Sequence, residues 1–80
     1  MEKLIDYTEQ YIHIQASYDG GNHYSWEDAY SDLSKLVNKI EDLYRHGRTS
    51  KVRMLAKCLL REVREESNRI RNLIYHDREN

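Results

Sequence analysis

RHGRTSKVRMLAKCLLREVR, residues 45–64, decides how this chain folds. On its N-terminal side an apolar pattern of helical period runs into Gly47. On its C-terminal side Thr49 and Ser50 offer capping side chains for a second pattern of the same period. So few residues between two helices predict an antiparallel helical hairpin. Gly47 is the expected left-handed residue that closes the first of them. The stretch also concentrates charge, with Arg45, Arg48, Lys51, Arg53, Lys57, Arg61 and Arg64 against Glu62 alone.

Upstream, Ser25 reads as an N-cap, with Glu27 and Asp28 suited to the positive end of a helix dipole. Trp26, Ala29/Tyr30, Leu33, Leu36/Val37, Ile40 and Leu43/Tyr44 then recur at helical spacing, predicting a helix over about residues 26–46. Downstream, Val52, Leu55/Ala56, Leu59, Val63, Ile70 and Leu73/Ile74 predict a helix over about residues 50–76. Folding the chain about residue 48 sets Val52 against Tyr44, Ala56 against Ile40, Val63 against Leu33 and Ile70 against Trp26. The second stripe breaks at Glu66/Ser67, opposite Tyr30, whose hydroxyl is expected to donate to the carboxylate.

At the N-terminus, Leu4, Tyr7, Tyr11, Ile14 and Tyr18 fall at spacings of three and four, predicting a helix over about residues 2–18. Residues 9–18 also alternate like a strand that ends at Asp19-Gly20-Gly21-Asn22. A strand with no partner leaves its backbone unpaired, so the helix is preferred. The fold class expected is therefore all-α, a three-helix bundle forming one helical domain over residues 1–80.

Composition narrows the setting. A core from 80 residues is worth only about 3–5 kcal/mol net, so association with a partner or a second copy would add usefully to stability. Cys58 is single, which excludes a disulfide within the chain. No signal-like segment and no membrane-spanning run is read, so the expected location is the cytoplasm. The net charge of −1 hides a division. Residues 1–44 carry three Lys and nine acids, whereas residues 45–80 carry ten cations and five acids.

Three groups of residues bear on function. The outward cations Arg48, Lys51, Arg53, Lys57 and Arg61 crowd the start of a helix, where positive charge is disfavoured, and make a candidate surface for an anion or an acidic partner. Tyr18, His23 and Tyr24, beside and within the Gly-rich loop, form a second candidate contact, while Tyr7, Tyr11, Trp26 and Tyr30 are expected to fill the groove between the first helix and the hairpin. Arg71–His76, RNLIYH, resembles the Arg-(four to six residues)-His motif of the HEPN ribonuclease family, in which Asn often follows the Arg. That resemblance implies phosphate stabilisation by Arg71, proton transfer by His76 and an orienting role for Asn72, at a site completed by two protomers. The chain departs from the family in its shortness and in having no helix after the motif.

His13, His23, His46 and His76 are scattered, no pair has metal-ligand spacing, and no phosphate-cradling Gly-rich loop is present. Neither metal nor cofactor is expected, and no catalytic residue is assigned. The sequence is read as a small non-enzymatic regulator or inhibitor that docks on a larger protein or nucleoprotein. In type it is comparable to phage and mobile-element inhibitors of host nucleic-acid machinery. Direct nucleic-acid binding through the basic turn and helix is the alternative, and HEPN-like RNA cleavage a third reading. A homodimer is a further possibility, with Ile5 and Ile12 lying off the main seam of the first helix.

Overall fold

Three α-helices make up the computed structural model, which describes residues 2–19 and 26–79. They are α1 (Glu2–Asp19), α2 (Trp26–His46) and α3 (Ser50–Glu79). All three expected helices are present, and residues 9–18 are helical rather than extended. Ser25, expected to cap α2, and the loop residues His23 and Tyr24 lie outside the described residues.

α2 and α3 pair as the hairpin, and their seam is aliphatic. Ala29, Leu33, Leu36 and Ile40 from α2 meet Ala56, Leu60, Val63 and Ile70 from α3 in one buried cluster. Leu55 was expected in this seam, but it is 39% exposed and Leu60 is buried instead. Leu60 follows Ala56 by four residues and precedes Val63 by three, so it belongs to the same stripe, whereas Leu55 sits one position round the helix from Ala56.

The turn differs from expectation in an instructive way. Gly47 is buried and its backbone lies outside the left-handed region. What requires glycine is space. A Cβ there would stand 2.8 Å from the Leu43 carbonyl oxygen, 2.9 Å from Arg53 Cγ and 3.3 Å from Val52 Cγ1. Thr49 caps α3, its Oγ1 accepting from the Val52 N–H at 3.1 Å and its carbonyl from the Arg53 N–H at 3.0 Å.

The first turn of α3 thus folds over the end of α2, and the pairing is displaced by several residues from the one centred on residue 48. Arg64 reaches Glu41 at 3.0 Å, and Ser67 shares a notch with Ser34 and Asn38 rather than facing Ala29 and Tyr30. Tyr30 is therefore not the partner of Glu66.

α1 attaches by different chemistry. Tyr11 and Tyr18 are its buried anchors, with Leu4, Tyr7 and Ile14 partly buried around them. It lies chiefly against α2 and touches α3 sparingly. The overall extents are 47 × 21 × 14 Å. At the usual rise, α3 alone is about 45 Å long, so the long dimension is set by that helix.

Candidate functional site

Arg53, one of the five expected outward cations, is committed to the turn. Its guanidinium donates to the Gly47 carbonyl at 2.8 Å and to Ser50 Oγ at 3.2 Å, and the residue is half-buried. Nothing acidic stands in the first turn of α3, and this side chain bonds to the local backbone and the Ser50 hydroxyl instead. The sequence signal was available: Arg53 lies one helical turn beyond Thr49, within reach of the last carbonyl before the turn.

The other four are exposed but do not share one face. Lys57 and Arg61 are neighbours on α3, and Arg64 and Arg71 extend their side of the helix at further turns. Lys51 stands about 120° away from Lys57 around the axis, on the side of Leu55 and Cys58. Arg48 occupies the turn itself. Arg48, Lys51 and Lys57 have no ion-pair partner among the described residues.

Arg61 pairs loosely with Glu65 at 3.4 Å, both well exposed. Arg64 joins Arg45 on Glu41, at 3.0 and 2.7 Å, and so ties α3 to α2. The division of charge along the sequence is therefore only partly cancelled inside the fold. Among the described residues the uncancelled part is Arg48 and Lys57, with Arg71 further along and Lys51 apart, while Arg61 is held only by the loose, exposed pair with Glu65.

Beside this basic side, Ser34, Val37, Asn38, Arg64, Ser67 and Asn68 line a shallow notch of about 340 Å³ between α2 and α3. Ser67 is buried where the aliphatic stripe would otherwise continue, which accounts for the break seen in the sequence. A second groove, of about 560 Å³, runs between α1 and α2. Its walls mix Asp6, Glu9 and Asp32 with Lys35 and Lys39.

Tyr18 is not an exposed contact, contrary to expectation; it is 8% exposed and part of the core. Its hydroxyl makes no hydrogen bond of acceptable geometry, although the Glu66 carboxylate acts on it electrostatically. Burial first, and then Glu66, push the phenol's ionisation well above its usual pH range, with Arg69 opposing weakly. Glu66 itself accepts from Arg69 Nε at 2.7 Å. Trp26, expected in the groove, is 38% exposed at the start of α2.

Arg71, Asn72 and His76 are all exposed on the uninterrupted α3. Five residues of helix separate Arg71 from His76 by about 140° of rotation, so one chain does not gather the two side chains into one site. Among the described residues no group of three or more His, Cys, Asp or Glu is placed to hold a metal ion, and no helix is long and apolar enough to cross a membrane. Compared with known proteins, the chain matches no family model, no curated protein and no solved structure.

Proposed function

We propose that this chain is a small non-enzymatic regulator or inhibitor in the cytoplasm that docks on a larger protein or nucleoprotein through the basic side of α3. The observation that carries this reading is the set of exposed cations with no ion-pair partner among the described residues, Arg48 at the hairpin turn and Lys57 on the helix. The exposed pair Arg61 and Arg71 extends the same side, and Met54 adds an apolar side chain one turn before Lys57 and Cys58. Cations mixed with a flexible apolar residue suit an acidic protein surface with apolar pockets. In size and charge the chain is of the type that phages and mobile elements direct at host nucleic-acid machinery.

The test is affinity capture with the wild-type chain beside Lys57→Glu/Arg61→Glu/Arg71→Glu. A partner held by the first and lost from the second, with helical content equal in both, supports the reading. A partner held equally by both would sink it.

One observation favours a second reading. Lys57, Arg64 and Arg71 repeat every seven residues, which lays them nearly in line along the helix. Such a line suits a phosphate backbone. Binding to DNA or RNA that weakens steeply with salt, less steeply in the triple variant, would replace the protein partner with nucleic acid.

A further inference from the structure

We infer that the notch between α2 and α3 is a binding site for a phosphate-class oxyanion. Its α2 wall is Ser34, Val37 and Asn38, and its α3 wall is Arg64, Ser67 and Asn68. Neither α1 nor any acid contributes to the lining. Every lining side chain but Val37 carries a hydrogen-bond donor. At about 340 Å³ the notch lies near the small end of ligand sites, which run from about 300 to 1,000 Å³. That size suits a single polar group.

The hydroxyls distinguish this notch from an ordinary gap between helices. A hydroxyl on a helix commonly turns back to a carbonyl one turn earlier. Thr8 does so to Leu4 at 2.8 Å and Ser17 to His13 at 3.0 Å. Ser34 and Ser67 do not, and Asn38 and Asn68 likewise make no side-chain hydrogen bond among the described residues. Ser67 is 9% exposed and interrupts the aliphatic stripe between Val63 and Ile70. A buried hydroxyl without a partner costs stability. Four polar side chains with no partner therefore converge on one notch, and places that break local rules in this way are where function is expected.

Charge selects the ligand. Arg64 Nη2 donates to Glu41 at 3.0 Å, which holds the guanidinium beside the notch and leaves its other N–H groups to donate. Glu41 is shared with Arg45 at 2.7 Å, so two cations meet one carboxylate there. Lys57 and Arg71 stand seven residues to either side of Arg64, nearly in line with it. The α1–α2 groove is different: Asp6, Glu9 and Asp32 outnumber Lys35 and Lys39 along it, which disfavours an anion. A neutral ligand would not use the arginine, and a flat carboxylate presents only two oxygens in one plane. A tetrahedral phosphate presents oxygens to the α2 wall, the α3 wall and Arg64 together. The shared chemistry is the phosphate group, carried by the free ion or by a phosphate monoester.

Amide NMR titration of the full chain tests this, with ionic strength held constant by sodium chloride. Inorganic phosphate, O-phosphoserine and acetate are added in separate arms. Phosphate is expected to move the Ser34, Ser67 and Asn68 backbone amides and the Asn38 and Asn68 side-chain amides to saturation, and acetate far less. Saturation by inorganic phosphate alone assigns the free ion; saturation by O-phosphoserine, with or without it, assigns a monoester. Ser67→Ala, which removes one donor, is expected to weaken binding about tenfold. Ser67→Val, which fills the notch, is expected to abolish binding with helical content unchanged. Absence of saturation by either phosphate, or equal saturation by acetate, overturns the inference. So do shifts spread evenly along Lys57, Arg61 and Arg71, or binding indifferent to both Ser67 variants. Lys57→Glu/Arg61→Glu/Arg71→Glu changes no lining residue and the probes here are small ions, so failure of the docking reading and failure of this site are told apart.

Discussion

The α2–α3 hairpin and α1 hold to the same molecule by different means. The hairpin seam is aliphatic, with Ala29, Leu33, Ile40, Ala56, Val63 and Ile70 fully out of water. α1 is held by rings that carry hydroxyls. Tyr11 accepts a hydrogen bond from Gln15 Nε2 at 3.1 Å, but the buried Tyr18 hydroxyl makes none. Aliphatic packing requires no polar partner, whereas each tyrosine brings a group that must be satisfied or costs stability. The hairpin is the stable unit and α1 is the weaker attachment.

Cutting the hairpin seam should have the largest effect. Leu33→Ala or Ile40→Ala removes a fully buried side chain and should cost about 2–5 kcal/mol, comparable to the whole stability of a domain this size. Urea titration followed by circular dichroism is expected to show loss of most helical signal in water. Retention of a cooperative, near wild-type midpoint would contradict the account of the seam.

Next comes the turn. Gly47→Ala places a methyl group against a backbone carbonyl and two side chains, and should lower stability by about 1–3 kcal/mol. A neutral Gly47→Ala would mean that α3 does not ride over the end of α2. Thr49→Ala should cost about 1 kcal/mol through loss of the cap to Val52 N–H. Both are read as shifts in the thermal midpoint.

The two tyrosines sharpen the comparison at smaller amplitude. Tyr18→Phe deletes an unsatisfied buried hydroxyl and should be neutral or stabilising by up to about 1 kcal/mol, whereas Tyr11→Phe gives up a bond to Gln15 and should destabilise slightly. The pH dependence has a defined sign. Tyr18 is pushed above its ordinary value of 10.0, so the folded chain keeps a proton that the unfolded chain releases. Its contribution is complete below that pH and is lost as pH rises beyond it. Wild-type stability should therefore fall more steeply with alkaline pH than that of Tyr18→Phe. Parallel curves would show that the phenol is not held in this way.

Smallest of all is Glu41→Gln. It releases Arg45 and Arg64, yet pairs this near the surface are worth about 0.2–1 kcal/mol each. A shift in midpoint that disappears at high salt is the expected signature.

Much of the candidate surface was readable in advance, and what was not has local causes. Arg48, Lys57 and Arg61 are exposed as the sequence suggests. Arg53 is half-buried rather than outward, because its reach back to Gly47 depends on how α3 starts and not on helical phase. Lys51 shares the charge of Lys57 but not its direction. Tyr18 looked like a loop-edge residue because it closes α1, yet its ring turns inward to the core. The resemblance at Arg71–His76 rests on spacing, and a continuous helix splits that spacing between two faces.

The sequence by itself determined three helices and the hairpin, with α3 running to Glu79 rather than to about residue 76, because apolar period and caps act over a few residues. Only the tertiary structure decided the displacement of α3 along α2, the role of Gly47 as a close-packed position, and the choice of Leu60 over Leu55 for the seam. Those features depend on where two helix surfaces meet, and neither surface carries that information alone. Periodicity marked Ile5 and Ile12 as lying off the α1 seam, and both are exposed.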